Sequence, residues 1–100
     1  MIKVEEVPHN LVHLKRYRYE KYIFDIFLDA ERLTVEAFMS KDFYFDSMIT
    51  CGFLYPLDVW TLDEALKKAR NEIIEHGEDY IHRYEEHDKV RGLFGSPYSL

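Results

Sequence analysis

Apolar and polar positions alternate with a period of two from Tyr22 to Leu28, where Tyr22, Phe24, Ile26 and Leu28 interleave with Ile23, Asp25 and Phe27. That period places successive side chains on opposite faces of a strand. The alternation resumes at Leu33, Val35, Ala37 and Met39, so the polar run Asp29-Ala30-Glu31-Arg32 predicts a hairpin turn. Ser40-Lys41-Asp42 predicts the next turn, and Phe43, Phe45, Ser47 and Ile49 continue the same inward face. Leu11 to Tyr19 reads as a further strand, and Gly52 and Pro56 are expected to end the sheet.

The period changes at Thr61. Thr61-Leu62-Asp63-Glu64 has the composition of a capping box, in which the threonine hydroxyl and the glutamate carboxylate satisfy each other's backbone N–H. Leu62, Ala65, Leu66, Ala69, Ile73, Tyr80, Ile81 and Tyr84 then recur at helical spacing as one stripe. The expected fold class is α+β: a three- to four-stranded antiparallel meander over about residues 11–51, packed on one face by a long C-terminal helix over about 62–87, with a kink or brief break at Gly77. Residues 1–100 form one domain, with 90–100 a docking or mobile tail.

Composition narrows the class. Apolar residues make up 47% and aromatics 16%, which suits a folded core and excludes a disordered chain. There is no long apolar run and no basic-then-apolar leader, so the expected location is the cytoplasm. One cysteine, Cys51, rules out an internal disulfide and reads as a buried, inert thiol. His76, His82 and His87 are six and five apart, not the three or four that would align two ligands on one helical face. No nucleophile motif and no glycine-rich phosphate loop is present, so no catalytic residue, metal site or cofactor is assigned.

The net charge of −6 is unevenly spread: residues 1–19 carry +2, 20–60 carry −5 and 61–100 carry −3. If Leu28 pairs with Leu33 and Met39 with Phe43, then Asp25, Glu36 and Asp46 fall in one row on the face away from the helix. Ile23, Phe38 and Tyr44 would flank that row on one side, and Phe27, Thr34 and Met48 on the other. Such an acidic and aromatic surface predicts a non-catalytic protein-binding module of the inhibitor, antitoxin or adaptor type, occupying a basic surface of its partner. Asp25, Glu36, Asp46, Ile23, Phe27, Phe38, Tyr44 and Met48 are its expected contact residues.

Two alternatives accompany that expectation. Lys15, Arg16, Tyr17, Arg18, Tyr19 and Lys21 form the one basic stretch, whose interleaved tyrosines would suit single-stranded nucleic acid. The acidic surroundings weigh against nucleic acid, and a divalent-metal carboxylate site for phosphoryl chemistry has still less support. Homodimerisation, through the sheet face or the tail, is a further option, and no membrane partner is expected. The succession of a meander and Thr61-Leu62-Asp63-Glu64-Ala65-Leu66-Lys67-Lys68-Ala69-Arg70 resembles the strand-to-helix junction of HicB-type antitoxins over about a quarter of the chain. It departs from that family at Leu57-Asp58-Val59-Trp60, where a glycine-containing lead-in is expected.

Overall fold

Antiparallel pairing along the chain builds one five-stranded sheet in the order β1-β2-β3-β4-β5, each strand beside its neighbour in sequence. The computed structural model describes residues 1–8, 14–41 and 48–94. The strands are β1 (Glu5–Glu6), β2 (Lys15–Tyr19), β3 (Tyr22–Asp29), β4 (Thr34–Lys41) and β5 (Ile49–Pro56), followed by the helix α1 (Leu62–Phe94). The α+β class and the meander followed by a C-terminal helix are as expected; the strand count is five, not three or four.

The faces follow the alternation. Tyr17, Tyr22, Phe24, Ile26, Val35, Ala37, Met39 and Cys51 are buried in the core shared with Ala65, Ala69, Ile73, Tyr80 and Tyr84 of α1. The Tyr22 and Tyr84 rings meet edge to face at 6.3 Å.

The register differs from the expected one. Leu28 pairs with Val35, not Leu33, because the turn is Ala30–Leu33 and Asp29 stays in β3 opposite Thr34. Asp29 Oδ1 accepts the backbone N–H groups of Glu31 at 3.0 Å and Arg32 at 3.1 Å, which folds the turn. Leu33 closes it with a left-handed backbone, φ +54°. Met39 pairs with Ile49 instead of Phe43, and 43–47 lie outside the described residues.

Two end signals have other meanings. Gly52 lies inside β5 at φ +88°, where the pairing with β4 shifts between Glu36 and Phe38, so it serves an irregularity in the strand. Pro56 is the last residue of β5, a strand paired only with β4, where a missing N–H is tolerated.

The capping box forms as the sequence predicts. Thr61 Oγ1 accepts the Glu64 N–H at 3.2 Å, and Glu64 Oε1 accepts the Thr61 N–H at 3.1 Å. The helix then runs 33 residues to Phe94, passing Gly77 without a break and exceeding the expected end at 87. Gly77 occupies a stripe position between Ile73 and Tyr80, and its role is space. A Cβ there would overlap Ile2 Cδ1. The Ile2 N–H also donates to the Ile74 carbonyl at 2.9 Å, so the N-terminal segment is seated on the helix at this notch. Leu62, expected in the buried stripe, is 41% exposed.

Candidate protein-docking surface

Asp25 and Glu36, expected to face each other in one row, do not stand opposite each other. Asp25 stands opposite Phe38 and Arg16, while Glu36 stands opposite Phe27 and Leu54; Asp46 and Tyr44 lie outside the described residues. The cause is the two-residue offset in the β3–β4 turn. An offset of two preserves which face each side chain occupies and changes every cross-strand partner.

Burial takes Asp25 and Ile23 out of the strip. Asp25 is 1% exposed and its Oδ1 accepts a hydrogen bond from Arg16 Nε at 2.7 Å. Ile23 and Ser40, on the same face, are fully buried. Phe27 and Phe38 are half-buried and pack edge to face at 5.6 Å, Met48 is half-buried, and Glu36 sits 4.0 Å from Arg32 Nη1. This side of the sheet is therefore largely closed, and its central charge is neutralised by a direct cross-strand ion pair.

The basic strand is similarly engaged. Lys15 Nζ donates to Glu6 Oε1 at 2.9 Å, Arg18 pairs with Glu5, and Arg16 holds Asp25. Glu5 and Glu6 come from β1, a two-residue strand too short to leave a periodic signal. Tyr17 is buried beneath the helix, Tyr19 packs half-buried against the core, and Lys21 lies 5.7 Å from the Tyr22 ring centre. The ring faces that base stacking requires are largely taken by the core.

Among the described residues the exposed large apolar side chains include four from the segments around the β3–β4 turn and the β5–α1 connection, an apolar corner at one end of the sheet, alongside Met1, Leu54 and Val90 elsewhere. Leu28 is 37% exposed, Leu33 58%, Val59 65% and Leu62 41%. The Leu57 N–H donates to the Leu33 carbonyl at 2.8 Å, joining the β3–β4 turn to the β5–α1 connection. The Pro56 carbonyl accepts from the Val59 and Trp60 N–H groups, which tightens that connection. The sequence pattern placed Leu28, Leu33 and Leu62 on inward faces and gave Val59 no role in a site. Their signal was Val59-Trp60, two large apolar side chains placed between a proline and a helix cap.

Carboxylates are concentrated in the same segments. Asp29 ends β3, and Glu31, Asp58, Asp63 and Glu64 belong to the two connections and the first turn of α1, against Arg32 alone in those segments. One turn further, Lys68 Nζ lies 4.1 Å from the Trp60 ring centre. The Glu64 carboxyl is held below the usual range, first by the Thr61 backbone N–H and then by the Thr61 hydroxyl, Lys68 and Lys67. Glu64 is thus anionic at neutral pH.

Among the described residues no three His, Cys, Asp or Glu side chains are placed to hold a metal ion. Cys51 is buried, and burial pushes its thiol up to about 12. Among the described residues, no helix is long and apolar enough to cross a membrane. No family model, no curated protein and no solved structure matches this chain.

Proposed function

We propose that this chain is a non-catalytic protein-binding module of the inhibitor, antitoxin or adaptor type, which meets a basic surface of its partner through the Leu28, Leu33, Val59 and Leu62 corner and the carboxylates of the same segments. The carrying observation is Leu33. A left-handed backbone costs a residue with a Cβ roughly 1–2 kcal/mol, and glycine or asparagine ordinarily takes that place. Leu33 bears this cost at φ +54° while leaving more than half of its side chain in water, so folding gains little from a leucine there. A retained strain without a packing return points to use of the exposed side chain. The flanking carboxylates select for Lys and Arg across the contact.

The test compares affinity capture by the native chain, by Leu33→Asn with Val59→Ser, and by Asn71→Ala on the exposed side of α1. A specific, salt-sensitive partner should be lost from the double variant and kept by the control, with both variants folded by circular dichroism. Retention of every partner by the folded double variant refutes the docking surface.

A further inference from the structure

We propose that the cavity between the N-terminal segment and α1 is a binding site for a small carboxylate with a short alkyl body, separate from the docking surface described above. It has a volume of about 440 Å³ and is lined by Met1, Ile2, Lys3, Val4, Arg70 and Ile74. Small-molecule sites span about 300–1,000 Å³, so a ligand of this size fits.

The wall supplied by the N-terminal segment is fixed at both ends. At one end Ile2 is buried in the Gly77 notch, and its N–H donates to the Ile74 carbonyl at 2.9 Å. At the other, Glu5 and Glu6 pair with Arg18 and Tyr17 of β2 in the sheet. The opposite wall is α1. Binding therefore need not order the segment first, which keeps its entropic cost low.

The charge of the lining selects an anion. Lys3 and Arg70 form no ion pair within 4.0 Å among the described residues, although the chain carries a net charge of −6. The carboxylates closest to Lys3 along the chain are engaged elsewhere, Glu5 with Arg18 and Glu6 with Lys15. On α1 the residues three and four away from Arg70 are Leu66, Lys67, Ile73 and Ile74, none of them acidic. Arg70 lies 6.0 Å from the Tyr17 ring centre, a contact that puts no acceptor oxygen on its N–H donors. A guanidinium in that state can grip a carboxylate through two parallel hydrogen bonds.

Ile2, Val4 and Ile74 form the apolar part of the lining, so the fitting ligand carries an alkyl chain as well as a charge. A bare inorganic anion would leave that wall uncovered, and an uncharged alkyl chain would leave the two cations without a counter-charge. A polyanion is opposed by the negative charge of the whole domain, which a single carboxylate meets least.

Isothermal titration calorimetry of the full chain at low ionic strength tests the site, with octanoate as the probe and octanol and acetate in parallel. One saturable site for octanoate is expected, with octanol and acetate each weaker by at least about tenfold. Lys3→Gln with Arg70→Gln alters two exposed side chains and should keep the fold by circular dichroism. It should lose octanoate affinity by at least about tenfold and bind octanol as the native chain does. Lys89→Gln, at an exposed cation of α1 outside the cavity, should bind octanoate unchanged. Methyl NMR spectra of the native chain should show the octanoate shifts at Ile2, Val4 and Ile74. No saturable octanoate binding, octanol binding as tightly, equal octanoate affinity in the folded double variant, or methyl shifts confined to other residues overturns the site.

Discussion

Replacing Gly77 with alanine should destabilise this protein even though alanine is the better helix former. In a helix interior the exchange is worth about 1 kcal/mol in favour of alanine. Here the new Cβ would overlap Ile2 Cδ1 and lie 2.8 Å from Ile2 Cγ1, closer than non-bonded carbons pack. Ile2, only 5% exposed, would have to turn aside and, at the limit, leave the core. Full exposure of an isoleucine costs about 1.5–3 kcal/mol, and the lost hydrogen bond from the Ile2 N–H to Ile74 about 1 kcal/mol more. The net effect is a loss of about 1.5–3 kcal/mol, or roughly 10 °C in melting temperature for a domain of this size.

The sign reverses once Ile2 is truncated: in an Ile2→Ala background, Gly77→Ala should stabilise by up to about 1 kcal/mol. Urea denaturation of the four proteins, followed by far-UV circular dichroism and Trp60 fluorescence, measures the coupling. Stabilisation by Gly77→Ala in the native background, or additivity of the two changes, would refute a notch built for Ile2.

Arg16→Met leaves the Asp25 carboxylate buried without its Arg16 hydrogen bond and should cost about 3–5 kcal/mol, whereas Arg16→Met with Asp25→Leu should recover much of that in the same assay. Thr61→Ala removes the cap and should cost about 1 kcal/mol at neutral pH. Because the folded Glu64 carboxyl lies below its ordinary 4.5, its contribution is present above that value and lost as pH falls through the lowered one. The stability gap between native protein and Glu64→Ala should therefore narrow in acid, measured as urea midpoints against pH. Leu33→Asn should raise the urea midpoint by up to about 1 kcal/mol of stability by easing the left-handed backbone, even as it removes the proposed contact. A thiol reagent at mildly alkaline pH should label Cys51 only as fast as the chain opens, since burial holds the thiol protonated.

The legible features were those encoded within a few residues. Period-two alternation assigned the faces of β3 and β4, and four consecutive residues set the start of α1 at its observed cap. The illegible ones were encoded elsewhere in the chain or in unusual backbone. Glu20 at φ +53° and Leu33 at φ +54° hold turn conformations that asparagine or glycine would have announced. Gly77 looks like a helix breaker until Ile2, from the opposite end of the sequence, is seen to fill its place. Gly52 looks like a strand end until the shifted pairing with β4 requires its φ.

The consequences of the register offset were unequal for fold and for function. Shifting β4 by two residues leaves the core unchanged, because Val35, Ala37 and Met39 still face the helix. A row of charges has no such protection, since it depends on who stands opposite whom. The observed pairing sets opposite charges against each other instead: Glu5 with Arg18, Glu6 with Lys15, Asp25 with Arg16. The side of the domain carrying β1, β2 and β3 is thereby neutralised within itself. Among the described residues, Glu31, Asp58 and Asp63 have no ion pair within 4.0 Å, and all three belong to the end that exposes Leu33 and Val59. Glu20, Glu78, Glu86 and Asp88 likewise have no ion pair within 4.0 Å among the described residues, so the acidic excess stays open at several places, and the end that exposes Leu33 and Val59 is one of them.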